Sequence, residues 1–230
     1  MEGSRAVLTP AGPPPSAQNG ATMPTDANRA YQQLKDRIIR LELIPGSVIH
    51  DVELSRELGL GRTPIREALK LLEAEGLVIT VPRRGIFVSH VSITDLQQIS
   101  EIREELEGLS ARLAAERATP ADVARLVQCC EEQIARESHE IRARIAVDRQ
   151  MHQLVAAATQ NKFIESEIER FYDLSLRLWH LATGRMRPDQ VDVASHVPIV
   201  GAIRRRDAAE AEELMREHIR SFHRSIKAAL

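Results

Sequence analysis

The sequence predicts a mainly helical protein, with an N-terminal winged helix-turn-helix and a C-terminal all-helical antiparallel bundle. Three observations support this fold class. Apolar residues recur at spacings of three and four from Ala30 onward, as they do on one face of an amphipathic helix. Strand-like patterns are confined to two short runs, at 77–81 and 86–89. Beyond Val91, six helical patterns follow one another through short links.

Composition divides the chain into a tail and two domains. Residues 1–28 contain five prolines and three glycines without periodicity, which predicts a disordered tail. Residues 29–91 form the expected winged domain, with ten Lys and Arg against eight Asp and Glu. Residues 92–230 form the expected helical domain, with 20 against 23. The sign of this difference suits an N-terminal nucleic-acid module, although the whole chain has a net charge of −2.

Composition also argues against several classes of protein. No apolar run approaches the ~18 residues of a membrane span, and the N-terminus lacks a signal peptide's apolar segment. We therefore expect a cytoplasmic protein without membrane contact. Only 3% of residues are aromatic, which disfavours a stacking surface for single-stranded nucleic acid. Cys129 and Cys130 are adjacent on a predicted helix, where their side chains diverge, and are interpreted as two small buried thiols.

Three helices and a hairpin are expected in the winged domain. The first helix begins near Ala30 and ends before Pro45-Gly46. Asp51 is a good N-cap for a short second helix that ends at Gly59. The third helix is expected over 62–75, and the hairpin follows it as the wing.

The third helix has an apolar face and a basic face. The apolar residues, which can pack on the first two helices, are Ile65, Leu69 and Leu72. The basic residues, each four positions apart, are Arg62, Arg66 and Lys70. A helix fits the DNA major groove, where arginine can hold guanine through two hydrogen bonds, and Thr63 is short enough to contact a phosphate or a thymine methyl group. The alternative is that these basic residues form only a solvated helix face without a partner. The turn before the helix and the wing after it disfavour this alternative.

The wing tip and the preceding turn invite two further interpretations. Arg83 and Arg84 lie beside Gly85, a placement that suits insertion into the narrow minor groove. The turn Gly59-Leu-Gly-Arg-Thr-Pro64 begins like a dinucleotide-binding loop. A proline replaces the third glycine and no strand precedes the loop, so that interpretation is rejected.

Metal-ligating residue types recur in the helical domain. Its helical patterns run over 94–117, 120–137, 139–158, 161–183, 189–205 and 207–228. Asp148 and His152 lie four residues apart on one helix face, and His196 and His218 fall on later helices. Imidazole and carboxylate together suit a divalent transition metal. Because the chain has eight histidines, hydrogen-bonded core histidines remain the open alternative from spacing alone.

The winged domain contains three specific motifs: LSRELGLGRTPIREAL at 54–69, LEAEGL at 72–77 and PRRG at 82–85. They closely resemble the winged helix of the GntR family of regulators. The resemblance implies a homodimer on a short palindromic DNA operator, contacted by Arg62, Thr63, Arg66 and Gly85. Gly61 departs from the serine that is common there, so the third helix is expected to be less firmly capped.

The helical domain carries the motifs Asp148-Arg-Gln-Met-His152, Ser195-His196 and Met215-Arg-Glu-His218. They resemble segments of the FCD ligand domain of FadR-type GntR regulators. Members with all four ligand positions bind a metal, and Asp148, His152, His196 and His218 match those positions. Zinc is the first expectation, with nickel, manganese or iron as alternatives. Ser195 and Arg206 depart from the common pattern without removing a ligand.

A small carboxylate is the expected effector. Four protein ligands leave positions open on an octahedral ion, and a carboxylate filling them could extend to the Arg103 guanidinium. Arg177 is a weaker candidate for the same pocket. For Arg103 the alternative is an ordinary surface salt bridge with Glu107, one helical turn away. Metal and acid would shift the packing of the helical domain, change the spacing of two winged domains and so alter operator affinity.

These inferences lead us to expect a transcriptional regulator, a repressor, rather than an enzyme. A metal-dependent hydrolase fused to a DNA-binding module is the alternative, because an open metal site can activate water. The zinc-protease motif begins at His139-Glu140 but fails at Ala143. An architectural DNA protein is a further alternative, which the small net charge of the winged domain disfavours.

Overall fold

The structure is a computed structural model that describes residues 25–136, 141–182 and 194–229. Within these ranges the backbone forms nine helices and one three-stranded sheet. The elements are α1 (Asp26–Ile39), β1 (Val48–Ile49), α2 (Asp51–Leu58), α3 (Arg62–Ala74), β2 (Val78–Val81), β3 (Gly85–Val88), α4 (Ile93–Arg117), α5 (Pro120–Arg136), α6 (Ile141–Ala158), α7 (Lys162–Ala182), α8 (His196–Arg205) and α9 (Ala208–Ala229). This order confirms the predicted fold class.

The first helix begins inside the predicted tail. Residues 1–24 lie outside the described residues, but α1 starts at Asp26 rather than near Ala30. Thr25 caps it, because its hydroxyl oxygen accepts a hydrogen bond from the Asn28 amide at 3.2 Å. Residues 26–28 are therefore helical, which corrects the predicted tail of 1–28. The sequence did not indicate this start because these residues are mostly polar and show no apolar periodicity. The His139-Glu140 motif and the predicted helix start at 189 also lie outside the described residues.

An apolar core holds the winged domain together. The buried core residues of α1 and α3 are each at most 2% exposed. They are Ala30, Leu34, Ile38, Ile65, Ala68, Leu69 and Leu72. The wing is antiparallel, with strand order β1-β3-β2. The sequence did not predict β1, because two residues are too few for an alternating pattern to show. Gly59 and Gly76 adopt φ values of 63° and 81° and so end α2 and α3 where expected.

The helical domain packs around α4, which contacts α6, α7, α8 and α9. A capping box starts α4, in which the Ser92 amide donates to Asp95 at 2.7 Å and the Asp95 amide donates to the Ser92 hydroxyl at 3.1 Å. Cys129 and Cys130 are free and buried, as predicted. In the described part of the chain, none of the helices has the length and apolar character that a bilayer span requires.

Helix α7 contacts both domains. Leu174 packs against the core of the winged domain. Arg177 donates to the Ser89 hydroxyl at 2.6 Å and to the Ser89 carbonyl oxygen, directly after β3. The Arg170 side chain donates to the Glu75 carbonyl oxygen at 3.4 Å, at the end of α3. The winged domain is therefore anchored at the ends of β3 and of α3.

We expect Ile65→Ala to destabilise the winged domain by about 2–5 kcal/mol, because it opens a cavity in a fully buried position. Urea unfolding followed by circular dichroism measures this change. Ile44→Ala is the matched control, since Ile44 is 66% exposed and its loss should change the free energy of unfolding by less than about 0.5 kcal/mol. Equal effects of the two variants would contradict the assigned core.

Candidate functional site

The structure exposes the basic face of α3 as a continuous row. Arg62, Arg66 and Lys70 are all exposed, whereas the apolar residues on the opposite face are buried. The side chains of Arg62 and Arg66 are 54% and 60% exposed. Thr63 is exposed in the first turn of the same helix. The row is therefore accessible to a partner as large as a DNA duplex.

Asp51 holds two of these arginines together. Its Oδ2 accepts a hydrogen bond from Arg66 Nε at 2.6 Å and pairs with Arg62 Nη2 at 3.3 Å. The hydrogen bond from Arg66 is the main reason why the pKa of Asp51 is lowered. The sequence assigned Asp51 as the N-cap of α2, but the cap is His50 and Asp51 is the first helical residue. His50 has the extended backbone conformation of a cap residue, and the Asp51 carboxylate pairs with the two guanidinium groups instead of capping the helix.

The wing tip is also exposed. Arg83 and Arg84 lie in the turn between β2 and β3, and Gly85 begins β3 directly after it, with φ values of 64° at Arg83 and 113° at Gly85. Such a left-handed conformation favours glycine, so the turn explains why Gly85 stands there. Gly61 caps α3 without a side-chain hydrogen bond, which confirms the weak cap that was expected.

Four buried side chains meet in the helical domain. They come from α6, α8 and α9 and are Asp148, His152, His196 and His218. Their relative exposures are 4%, 2%, 0% and 6%. One ligand atom of each residue lies within 4.8 Å of the corresponding atoms of the other three. Residues separated by up to 70 positions thus form a single cluster, which we call the Asp148 cluster.

The three imidazoles present the same atom to Asp148. Nε2 of His152, His196 and His218 lies 3.6, 3.1 and 3.4 Å from a carboxylate oxygen of Asp148. The Nε2 atoms of His152 and His218 are 3.1 Å apart. Ligand atoms about 2.0–2.2 Å from one ion are separated by roughly 3–3.5 Å when they are neighbours. The donor set therefore fits one divalent transition metal.

Each histidine is oriented through its other ring nitrogen. Nδ1 of His152 forms an ion pair with Glu107, Nδ1 of His218 lies 2.8 Å from the Ser195 hydroxyl, and Nδ1 of His196 lies 3.4 Å from Gln133 Oε1. A proton on Nδ1 leaves the Nε2 lone pair free to face the cluster. Nε2 of His196 is buried and lies 3.1 Å from Asp148 Oδ1, so it faces the same carboxylate as the other two imidazoles.

The sequence missed the roles of Glu107 and Gln133 in this arrangement. Glu107 was considered only as a salt-bridge partner of Arg103, and Gln133 on α5 carried no signal. Ser195 appeared as a departure from the family pattern, yet its hydroxyl supports His218. Glu107 lies on α4 and Gln133 on α5, helices that carry none of the four cluster residues, so sequence spacing could not link either residue to the site.

The electrostatics of the cluster sets the protonation of its members in the absence of a metal ion. Burial lowers the pKa of His152, but Glu107 and Asp148 outweigh this effect and raise the pKa to about 9. Burial lowers the pKa of His218 to about 4, with His196 and His152 adding to the effect. Burial raises the pKa of Asp148, but the histidines facing it hold the pKa well below its usual range. At pH 7 and without a metal, Asp148 is therefore ionised, His218 is neutral and His152 is protonated, so a metal ion that binds His152 must displace its proton.

The two predicted effector arginines lie in different places. Arg103 is 3% exposed, and its Nε donates to Glu107 Oε1 at 2.6 Å, so the salt bridge exists but is buried rather than on the surface. Through Glu107 it adjoins His152, and Asp148 contributes to the raised pKa of Arg103. Arg177 donates to Ser89 at the domain boundary, and burial lowers its pKa to about 10, with the charge of Asp95 only partly opposing this shift. This position favours a role for Arg177 between the domains.

Two known families match this chain. The FCD domain matches residues 98–221, and the bacterial regulatory proteins of the gntR family match residues 26–88. The chain belongs to the GntR family of regulators that carry an FCD domain. It is accordingly a DNA-binding transcriptional regulator and not an enzyme. The hydrolase alternative is thereby set aside.

A curated relative agrees with this membership, and two solved structures share the fold. The GntR regulator is 26% identical over 211 residues to the HTH-type transcriptional repressor RspR of Escherichia coli K12, covering 91% of this chain and 92% of that protein. Its fold is similar to that of E. coli McbR/YncC, with a TM-score of 0.77 at 23% identity, over 90% of this chain and 99% of that one. A GntR regulator from Rhodococcus sp. RHA1 gives a TM-score of 0.68 at 19% identity, over 89% and 98%.

We expect the purified GntR regulator to bind about one zinc ion per chain, because three Nε2 atoms and one carboxylate converge. His218→Ala should reduce the zinc content severalfold after dialysis, as measured by elemental analysis. His223→Ala is the matched control on the same helix, since His223 lies outside the cluster. Full zinc content in His218→Ala, with an unchanged circular dichroism spectrum, would contradict the assigned ligands.

Proposed function

We propose that this GntR regulator is a repressor whose affinity for a palindromic operator is controlled by a small organic acid, bound at a metal site in the helical domain. One observation carries the proposal. Three imidazole Nε2 atoms converge on Asp148 in a domain whose helix α7 also contacts the winged domain. A ligand site and a DNA-contacting surface thus belong to one connected structure.

The winged domain supplies the operator contacts. Helix α3 enters the major groove with its N-terminus first, and its residues Arg62, Thr63, Arg66 and Lys70 contact bases and phosphates there. At the wing, Arg83, Arg84 and Gly85 contact the minor groove. The exposure of all seven residues supports this assignment. The ion pairs with Asp51 keep Arg62 and Arg66 on the same side of α3 before DNA arrives.

A homodimer explains a palindromic operator. Two copies related by a twofold axis present two α3 helices, each to one half-site. The relative RspR is named a transcriptional repressor, which supports repression here. Binding set by phosphate charge alone is disfavoured, because the winged domain has only two more basic than acidic residues.

The helical domain supplies the sensor. Asp148, His152, His196 and His218 would hold the ion, with zinc first and nickel, manganese or iron as alternatives. When bound, the ion would offer open positions to the oxygens of a carboxylate. Arg103 is the residue that recognises the acid, because its guanidinium is buried beside Glu107 and next to the cluster. A carboxylate that reached Arg103 would compete with Glu107 and so disturb the support of His152.

We expect Arg66→Ala to weaken binding to a selected operator about 5- to 150-fold, because one bidentate base contact is worth roughly 1–3 kcal/mol. The operator is obtained by selecting from random duplexes with the wild-type protein. Fluorescence anisotropy measures the dissociation constant for that operator and for a scrambled duplex. Arg205→Ala, an exposed arginine of α8, is the control and should change neither value by more than about twofold. Equal weakening on both duplexes would identify Arg66 as a phosphate contact.

We expect small carboxylic acids to change operator affinity only in the metal-loaded protein. A panel of mono-, di- and tricarboxylic acids is titrated into the zinc-loaded protein on operator DNA, and again after EDTA treatment. The reason is that the acid would bind both to the open positions of the ion and to the Arg103 guanidinium. Indifference of operator affinity to zinc and to every acid would refute the proposed control.

A further inference from the structure

Four charged side chains meet where α7 contacts the winged domain. We call this group the junction cluster, and its members are Lys35 of α1, Glu75 at the end of α3, Arg149 of α6 and Asp173 of α7. The side chains of Lys35 and Asp173 are only 7% and 1% exposed. Two cations and two carboxylates therefore neutralise one another, largely away from solvent.

Asp173 is the centre of the junction cluster. Its Oδ2 lies 2.7 Å from Lys35 Nζ, and its Oδ1 lies 2.7 Å from the Arg149 guanidinium. Lys35 Nζ also lies 3.1 Å from Glu75 Oε2 and donates to the Tyr31 hydroxyl at 2.8 Å. One carboxylate is thus held by a cation from each domain. A buried charge cannot give up such a partner cheaply, so the paired groups move together.

Both sensor-side members adjoin the Asp148 cluster. Arg149 directly follows Asp148, and Asp173 directly follows Tyr172. The Tyr172 hydroxyl donates to Asp148 Oδ2 at 2.7 Å. A ligand that engages this carboxylate competes with Tyr172 for the same oxygen. Any resulting movement of Tyr172 is passed to Asp173 through one peptide bond.

The two members of the junction cluster in the winged domain connect the cluster to α3, the DNA-contacting helix. Glu75 is the C-cap residue of α3, and Lys35 lies on α1, whose buried face packs against α3. A displacement of Lys35 therefore acts on α3 through an ion pair and through apolar packing. From Asp148 to Glu75 each step is a direct contact or a single peptide bond.

We propose that Asp173 couples the Asp148 cluster to the position of α3. The inference rests on the proposed function and names the route of its regulation. Asp173 is a positioning residue, because it touches neither the metal ligands' side chains nor the basic face of α3. The coupling is reciprocal, so operator DNA changes the affinity of the cluster for zinc by the same factor.

The test compares the operator dissociation constant in zinc with that in EDTA for three proteins. In the wild type we expect a ratio of about 5 to 150, in either direction, as for typical allosteric coupling. Asp173→Asn should bring the ratio to within about twofold of one, because an amide does not hold two cations. Glu165→Gln, at an exposed carboxylate in the first turn of the same helix, should retain the wild-type ratio.

A double variant distinguishes a loss of coupling from a folding defect. Lys35→Met with Asp173→Leu removes both buried charges and leaves apolar groups of similar size, an exchange that proteins commonly tolerate. Its circular dichroism spectrum and zinc content should match those of the wild type. We expect it to lose the coupling as Asp173→Asn does. Calorimetry of zinc with and without operator DNA gives the reciprocal measurement.

The outcomes separate the two proposals. If operator affinity responds to zinc in the wild type and equally in Asp173→Asn and in the double variant, the inference is wrong and the proposed function stands. If operator affinity in the wild type responds to an acid in the zinc-loaded protein but not to zinc alone, the proposed function stands and the inference is wrong. If it responds neither to zinc nor to any acid of the panel, the proposed function fails and the inference falls with it. Loss of coupling in both variants, with zinc content unchanged, supports the inference.

Discussion

The helical domain depends on one buried carboxylate. Asp148 is nearly inaccessible to solvent, yet its pKa lies well below the usual range, so it stays ionised inside the protein. Such a charge is stable only when surrounding groups face it, and here three imidazoles and the Tyr172 hydroxyl do so. These partners come from α6, α7, α8 and α9. The same carboxylate therefore fixes how the helices meet and creates the donor set for a metal.

The side chains that support the Asp148 cluster connect it to α4. His152 is held from outside by Glu107, which also binds Arg103, so that a chain of buried charges leads from α4 to the centre of the domain. Arg103 lies over the rings of Tyr172 and Phe222, at 5.0 and 5.5 Å. In consequence the residue proposed to recognise a carboxylate already forms part of the packing around the ligands. The contacts of Arg103 would therefore serve both carboxylate recognition and the packing of the helical domain.

The ion pairs on the DNA-contacting surface are exposed, unlike the buried charges of the helical domain. Arg62 and Arg66 are exposed, and their ion pairs with Asp51 are weak restraints that solvent screens. These pairs orient the guanidinium groups without consuming them, so they remain able to bind a stronger anion. The winged domain is anchored to the sensor by the opposite arrangement, since Lys35 and Asp173 are buried and cannot exchange partners with solvent. Exposed pairs thus serve contact with a partner, and buried pairs serve connection between domains.

The sequence by itself determined the fold class and the basic row of α3, and its resemblance to a known family, rather than residue spacing, pointed to the four members of the Asp148 cluster. Helical periodicity fixes which residues face inward, and the motif around Arg62–Leu69 is specific enough to identify a family. Tertiary structure decided what periodicity cannot express: the place of Asp51 beside two arginines, the outer partners Glu107 and Gln133, and the position of Arg177 at the wing. It also revealed the junction cluster, whose members lie on four different helices. The physical reason is that a local pattern reports which face of a helix is buried, whereas the partner of a buried charge is set by how distant helices pack.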